Sequence, residues 1–304
     1  MSFIPEESVE LKDFNWWKVG GVAQYYTAPT TVEEVGQAME WAHKNKQEMH
    51  VLSGGSNSLV KDGLIEGLTI HLHKLNEVEN VDDEGDIIYI STLAGTPKSE
   101  LAKVFLQKKR APAVFLTGIP GDVGGGIVMN AGVGEDRKPR EFCEIVEWVE
   151  VMRLNDKGKA ESHEMANENL DWTYRGCKGW QPGVIVRVGI VWEGTSEDSV
   201  MNDVREATKK RVSTQPLNEA SCGSVFRNPP GLKSAKLIEE CGLKGHRIGG
   251  VSVSEKHANF IVNDQDGTAA DIRELILHVQ AEVKKQKQVD LVPEVCFFGG
   301  WSLA

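Results

Sequence analysis

The 304-residue sequence has little of what marks a secreted, metal-bound or nucleic-acid-binding protein. Cysteine occurs five times, at 143, 177, 222, 241 and 296, an odd count at wide spacing with no C-x-x-C pair. That pattern fits neither a zinc site nor a disulfide framework, and it suits a reducing compartment. Cations are in deficit: 34 Lys and Arg against 45 Asp and Glu leave a net charge of -11. A nucleic-acid binder would need a basic face to neutralise phosphates, so no nucleic-acid partner is expected. A local basic pocket for a small anion remains compatible with that balance. No uncharged run of ~18 apolar residues is present, so no membrane span is expected. The acidic start, residues 1–7, lacks the basic and apolar regions of a signal peptide, and the expected location is cytoplasmic. The sequence also lacks a G-x-x-x-x-G-K-[ST] loop and a G-x-G-x-x-G fingerprint, internal repeats, low-complexity segments and any metal-ligand cluster.

What is there suits a globular protein with ample core: 40% hydrophobic and 26% charged residues. The length points to about two domains, with a boundary expected near 195–200. The most unusual stretch is Glu219-Ala220-Ser221-Cys222-Gly223-Ser224-Val225-Phe226-Arg227-Asn228-Pro229-Pro230. Gly223 lets a backbone or ligand approach the Ser224 hydroxyl, and the double proline stops any regular element. It reads as a rigid polar loop presenting Ser224, Arg227 and Asn228, or as an ordinary turn between two elements.

Two glycine-rich stretches precede it. Ser53-Gly54-Gly55-Ser56-Asn57-Ser58 follows a short apolar strand, and its successive amides could form an anion nest; a tight turn without ligand is the alternative. Residues 116–134 contain seven glycines in nineteen positions. Such glycine content is tolerable where a backbone wraps closely around something, and the apolar residues among them argue against a flexible linker. Two such loops about 65 positions apart suit a large dinucleotide whose pyrophosphate lies across backbone amides.

The remaining chain alternates strands and helices. Helices are expected from Thr31 as N-cap, over 97–109, 197–211 and 233–241 with Gly242 as the C-terminal stop, and over 268–286 with an apolar face. Residues 81–86 read as an acidic turn, and 257–263 as a strand or strand entry. Arg175, between Tyr174 and Gly176, is either a surface cation or an anion clamp. Glu294, in the apolar run 289–299, is either a solvated strand-edge carboxylate or a partly desolvated acid with a raised pKa.

Gly54-Gly55-Ser56-Asn57, Gly118-Ile119-Pro120-Gly121 with Asn130-Ala131-Gly132, Tyr174-Arg175, Gly223-Ser224-Val225-Phe226-Arg227-Asn228-Pro229, His257-Ala258-Asn259-Phe260-Ile261 and Pro293-Glu294-Val295 together resemble the UDP-N-acetylenolpyruvoylglucosamine reductase (MurB) family of peptidoglycan synthesis. The resemblance covers nearly the whole chain. It implies an α+β architecture: a two-lobed FAD-binding domain of the PCMH/vanillyl-alcohol-oxidase type over 1–196 (lobes 1–73 and 74–196), then a smaller α+β substrate-binding domain over 197–304. It further implies a cytoplasmic, monomeric flavoprotein oxidoreductase that serves cell-wall biogenesis, cell shape and division. In the family, NADPH reduces the flavin and leaves; flavin N5 then delivers hydride to the enol-ether double bond of a UDP-sugar.

By match of motif, Ser224 donates the completing proton, while Arg175 and Glu294 stabilise the charge that develops on the substrate carboxylate. FAD contacts are implied for Ser53, Gly54, Gly55, Ser56, Asn57, Ser58, Gly118, Ile119, Pro120, Gly121, Gly124, Gly125, Asn130, Ala131 and Gly132. Substrate contacts are implied for Tyr174, Arg227, Asn228 and Asn259. Because 53–62 contain no histidine, the FAD is expected to be dissociable. The chain departs from the family at Cys177, commonly a serine, at Cys296, often a basic residue, and at Trp16-Trp17. The short segment after Tyr174 implies the family's shorter type. A sugar or hydroxy-acid oxidase on the same flavin fold and a non-catalytic nucleotide-binding protein are the rival readings.

Overall fold

The computed structural model describes residues 3–133 and 138–301. The chain begins with β1 (Glu6–Glu10), β2 (Val22–Thr27), α1 (Val32–Lys44), β3 (Met49–Leu52), β4 (Ser58–Val60) and β5 (Leu64–His71). Strands β6 (Val78–Glu84) and β7 (Ile87–Leu93) lead to α2 (Lys98–Gln107), α3 (Pro112–Thr117) and α4 (Val123–Val128). Then come β8 (Val146–Leu154), β9 (Ala160–Ala166), β10 (Trp172–Thr173), β11 (Gly176–Cys177) and β12 (Val184–Glu193). The last stretch holds α5 (Val200–Thr214), α6 (Ser234–Glu240), β13 (Arg247–Ile248), β14 (Val251–Val253), β15 (Ile261–Asn263), α7 (Ala269–Lys287) and β16 (Cys296–Phe298).

Compactness divides these elements into two units. One gathers residues 1–7, 25–54 and 67–209; the other gathers 8–24, 55–66 and 210–304. The second unit therefore takes two segments from the N-terminal part of the chain, where a simple sequential cut near 196 would leave none. Its core explains why. Trp17, Val19 and Leu59 are buried in one cluster with Val225, Phe226, Ile261 and the apolar face of α7. The Trp17 indole also donates to the Ile261 carbonyl at 2.8 Å.

The first unit is built on an antiparallel five-stranded sheet of order β6-β7-β12-β8-β9. Central β12 is buried along most of its length, as its run of valines and isoleucines requires. Residues 81–84, read from sequence as part of an acidic turn, instead continue edge strand β6, and only the link to β7 turns. An edge strand leaves its side chains in water, so acids there carry little penalty. Asp83 is in addition paired with the buried Arg110 at 2.7 Å and with Lys108 at 3.2 Å. Beside this sheet, β3 runs parallel to β5, with Met49 opposite Leu68 and Leu52 opposite His71.

Local signals fix the helix ends. Thr31 Oγ1 accepts from the Glu34 amide at the start of α1. Thr268 and Asp271 form a capping box on α7. Gly242, at φ +72, closes α6 in the left-handed conformation. The expected strand at 257–263 is confined to Ile261–Asn263, because 257–260 form a turn that the site uses.

The glycine-rich stretch is more regular than a wrapping loop. Gly124, Gly125 and Gly126 lie inside α4. A Cβ on Gly126 would stand 2.5 Å from the Phe142 ring, and one on Gly124 would stand 2.9 Å from Ala94. These glycines let a short helix touch its neighbours; a Cβ on Gly125 would meet only the Ser53 side chain, at 3.4 Å. Gly126→Ala should therefore overpack the Phe142 site at roughly 1–3 kcal/mol, lowering the thermal midpoint by several degrees. Gly125→Ala should leave the cofactor-free midpoint unchanged. Equal midpoints for both variants would contradict this packing.

Candidate active site

In the first unit the two glycine stretches meet directly. A Cβ on Gly54 would come within 2.8 Å of Asp122 Oδ1 and 3.0 Å of Gly121 Cα. Ser53 Oγ donates to Asp122 Oδ2 at 3.1 Å, and the Gly54 amide donates to the same carboxylate. Gly121 sits at φ +85. Gly118 caps α3, and half-buried Ile119 and Pro120 lead from it to Gly121. The result is a cradle of small residues where the two glycine stretches join.

Gly55, Ser56, Asn57 and Ser58 belong to the second unit. Gly55, at φ +62, packs so closely that a Cβ would fall 2.1 Å from the Phe14 carbonyl. That carbonyl lies in the turn ordered by buried Asn15, whose amide donates to Leu11 and Val19 carbonyls at 3.1 and 2.6 Å. Asn57 donates through Nδ2 to the Glu294 carbonyl at 3.0 Å and accepts from the Cys296 amide at 2.9 Å. Ser58 pairs with Cys296 in the parallel β4–β16 ladder. Asn57 thus ties its loop to the Glu294 segment.

Arg175 and Tyr174 are the two turn residues of the β10–β11 hairpin, where Thr173 pairs with Gly176. Arg175 adopts φ +58, a strained value for a residue with a Cβ. Its guanidinium lies 4.9 Å from the Tyr174 ring centroid and donates to the Gly132 carbonyl at 2.9 Å. Asn130 is 2% exposed. It donates to Glu141 at 2.9 Å and to the Thr173 carbonyl at 3.2 Å, and accepts from the Cys143 amide at 3.0 Å. The Asn130-Ala131-Gly132 turn therefore anchors the arginine hairpin. Cys177 is buried and donates to the Leu170 carbonyl at 3.0 Å. Burial pushes its thiol up to about 12, so it is an inert part of the hairpin's base.

The second unit brings Ser224 and Glu294 onto adjacent antiparallel segments. The Glu294 amide donates to the Val225 carbonyl at 2.7 Å, and the Arg227 amide donates to the Val292 carbonyl at 2.9 Å. Phe226 bridges Pro293 between them. Gly223 holds φ +76 with nothing near its missing Cβ, so there the backbone conformation is the reason for glycine. Asn259 laces the loop from behind. Its Nδ2 donates to the Phe226 carbonyl at 2.8 Å, its Oδ1 accepts from the Phe226 amide at 3.0 Å, and its carbonyl accepts from Val225 at 2.8 Å. Asn228 Oδ1 accepts from the Ser234 amide at 3.0 Å, and Ser234 Oγ donates to the Arg227 carbonyl at 2.6 Å, together starting α6. Ser224, Arg227 and Glu294 are half-buried, and Asn228 is exposed.

The comparisons with known proteins agree over both units. Residues 215–298 match the UDP-N-acetylenolpyruvoylglucosamine reductase C-terminal domain, and 23–161 match an FAD binding domain. A protein named UDP-N-acetylenolpyruvoylglucosamine reductase from Parasynechococcus marenigrum is 37% identical over 95% of this chain and 94% of its own. This chain belongs to the UDP-N-acetylenolpyruvoylglucosamine reductase family. A relative of the same name from Clostridium beijerinckii is 36% identical over 95% of this chain and 91% of its own. The crystal structure of that reductase (MurB) from Thermus caldophilus superposes with a TM-score of 0.76 at 30% identity, covering 97% of this chain and 99% of that one. The expected α+β fold with an FAD-binding domain is borne out.

Sequence reasoning missed Asp122 and Lys98. The readable signal was a lysine directly after Pro97, in the first turn of a helix, where a cation opposes the dipole. Asn259 yields a test of the lacing. Asn259→Ala would leave both backbone polar groups of the buried Phe226 without their side-chain partner, a loss of roughly 2–6 kcal/mol at 1–3 kcal/mol per group. Chemical denaturation should show it; a change below about 0.5 kcal/mol would mean that Asn259 does not hold the loop.

Proposed function

We propose that this protein reduces UDP-N-acetyl-3-O-(1-carboxyvinyl)-glucosamine to UDP-N-acetylmuramate for peptidoglycan synthesis, using NADPH. The observation that carries the reading is the antiparallel lacing that sets Ser224 beside the Glu294 segment. Family membership supports it, as does the match of residues 23–161, which include the joined loops at Gly54 and Gly121, to an FAD binding domain. Residues 1–196 supply the cofactor part and 197–304 the substrate part, with 55–58 shared between the two roles.

Bound FAD would supply two-electron carrier chemistry between NADPH and the enol-ether double bond. The chain's own residues manage charge and protons. Arg175 is held in a strained turn by Gly132 and stacked on Tyr174, and so is preorganised for a carboxylate rather than free to wander. Glu294 polarises the same substrate carboxylate as charge builds on it. Ser224 donates the proton that completes the lactyl ether. A hydroxyl is a poor acid in water, so it serves only against a strongly basic enolate carbon and with its proton replenished.

Arg227 and Tyr174 bind the substrate. Asn228 and Asn259 act through the loop they brace, and Asn130 acts through the arginine hairpin. Ser53 to Ser58 and Gly118 to Gly125 hold the dinucleotide. The protein works as a cytoplasmic monomer on a soluble sugar nucleotide. The net charge of -11 favours no nucleic-acid partner, and among the described residues no helix is long and apolar enough to cross a membrane.

Anaerobic stopped flow on Ser224→Ala separates the two halves of the reaction. Flavin reduction by NADPH should stay within about twofold of the parent, while reoxidation by the enolpyruvyl substrate should slow by about 10²–10⁴-fold. Unchanged reoxidation would remove Ser224 from proton delivery.

A further inference from the structure

Two residues, at the starts of α2 and α4, depart from the usual helix-end pattern at one spot. Lys98 is the first residue of α2, where an ammonium faces the positive end of the dipole, and it is 3% exposed. Asp122 stands at the N-cap position of α4 yet makes no cap bond to its own helix. Its carboxylate reaches back to Ser53 and to the Gly54 amide instead. The two segments are joined by backbone: the Lys98 amide donates to the Gly121 carbonyl at 2.9 Å, and Pro97 bridges Asp122.

Among the described residues the Lys98 ammonium closes no ion pair. It lies 5.9 Å from the centroid of the Phe142 ring, and the charge that acts on it is that of Asp122. A buried cation without a close anion is costly. Asp122 is itself buried and already engaged by two donors, so it offsets that cost only in part.

We propose that Lys98 is a charge-compensating residue of the cofactor site, held ready beside the joined glycine loops to neutralise a dinucleotide diphosphate bound there. The inference rests on the FAD reading above. It assigns Lys98 the electrostatic role that backbone amides alone cannot fill, since amides bring partial charges and a diphosphate brings full ones. Asp122 is the positioning residue that clamps one glycine loop to the other.

The assignment has a protonic consequence. Burial draws the Lys98 pKa down to about 8, against the opposing pull of Asp122. A bound diphosphate raises it again. Above pH 8 the free protein holds Lys98 increasingly neutral, so binding must take up a proton and affinity falls as pH rises. Of the groups near this pair, burial raises the Asp122 carboxyl above its usual range, and His71, which faces the Ser53 backbone, is held at about 3 by burial and so does not change charge in this window.

The test measures FAD binding to flavin-stripped protein by fluorescence quenching between pH 7 and 9.5. The parent should lose affinity by up to tenfold per pH unit above 8. Lys98→Met, folded by circular dichroism, should bind at least tenfold more weakly at pH 7 and show no such slope; Lys98→Arg should bind at pH 7 as the parent does and also lose the slope. Calorimetry on the parent at pH 8.5, in two buffers of different ionisation enthalpy, should show net proton uptake on FAD binding. Parent affinity that is flat with pH and zero proton uptake would overturn the role of Lys98 whatever the variants do, as would Lys98→Met binding FAD like the parent. Failure of the parent to bind FAD at all would overturn the cofactor reading itself.

Discussion

The Ser224 loop depends on one asparagine. Asn259 satisfies both backbone groups of Phe226 with its side-chain amide, and its own carbonyl takes the Val225 amide. A segment of hydroxyl, cation and double proline cannot form a helix and has no neighbouring strand of its own to continue. The lacing gives it one: Val225 and Arg227 then pair with Glu294 and Val292. Buried backbone groups must be paired, so satisfying them from behind fixes the loop's front. The half-buried Ser224 is positioned by this ladder.

The same logic runs through the glycine stretches. Glycine is placed there mostly for closeness rather than for freedom. Gly54 lets one loop touch Asp122, and Gly124 and Gly126 let α4 approach Ala94 and Phe142. At Gly55, Gly121 and Gly223 a positive φ is a further reason for glycine. A rigid backbone surface results, which is what preorganised binding of a phosphate demands. Folding such a surface forfeits side-chain packing, and the long buried clusters in both units supply the offset.

Much of this was legible in the sequence because the informative residues are local signals. Thr31, Gly242 and the apolar face of α7 announce their helices, and the Ser224 loop stands out by composition. The long-range relations were not legible. Nothing in the order of residues says that Asn259, Asn130 and Asn57 brace backbone at a distance, since an asparagine that braces and one that binds look alike. Residues 81–84 read as a turn because an exposed edge strand tolerates the acids that usually mark turns. The inclusion of 8–24 and 55–66 in the second unit is likewise a matter of which core Trp17 and Leu59 fill, and periodicity carries no such address.

The central claim is that one chain couples a nicotinamide-reduced flavin to an enol ether through a proton held at Ser224. The most direct measurement takes the parent protein, reduced anaerobically by NADPH, and mixes it separately with the enolpyruvyl UDP-sugar and with oxygen while flavin absorbance is followed. The account predicts rapid reoxidation by the sugar nucleotide with stoichiometric formation of the lactyl ether, and much slower reoxidation by oxygen. Fast reoxidation by oxygen, with no response to the enolpyruvyl compound, would contradict it and favour an oxidase on the same fold.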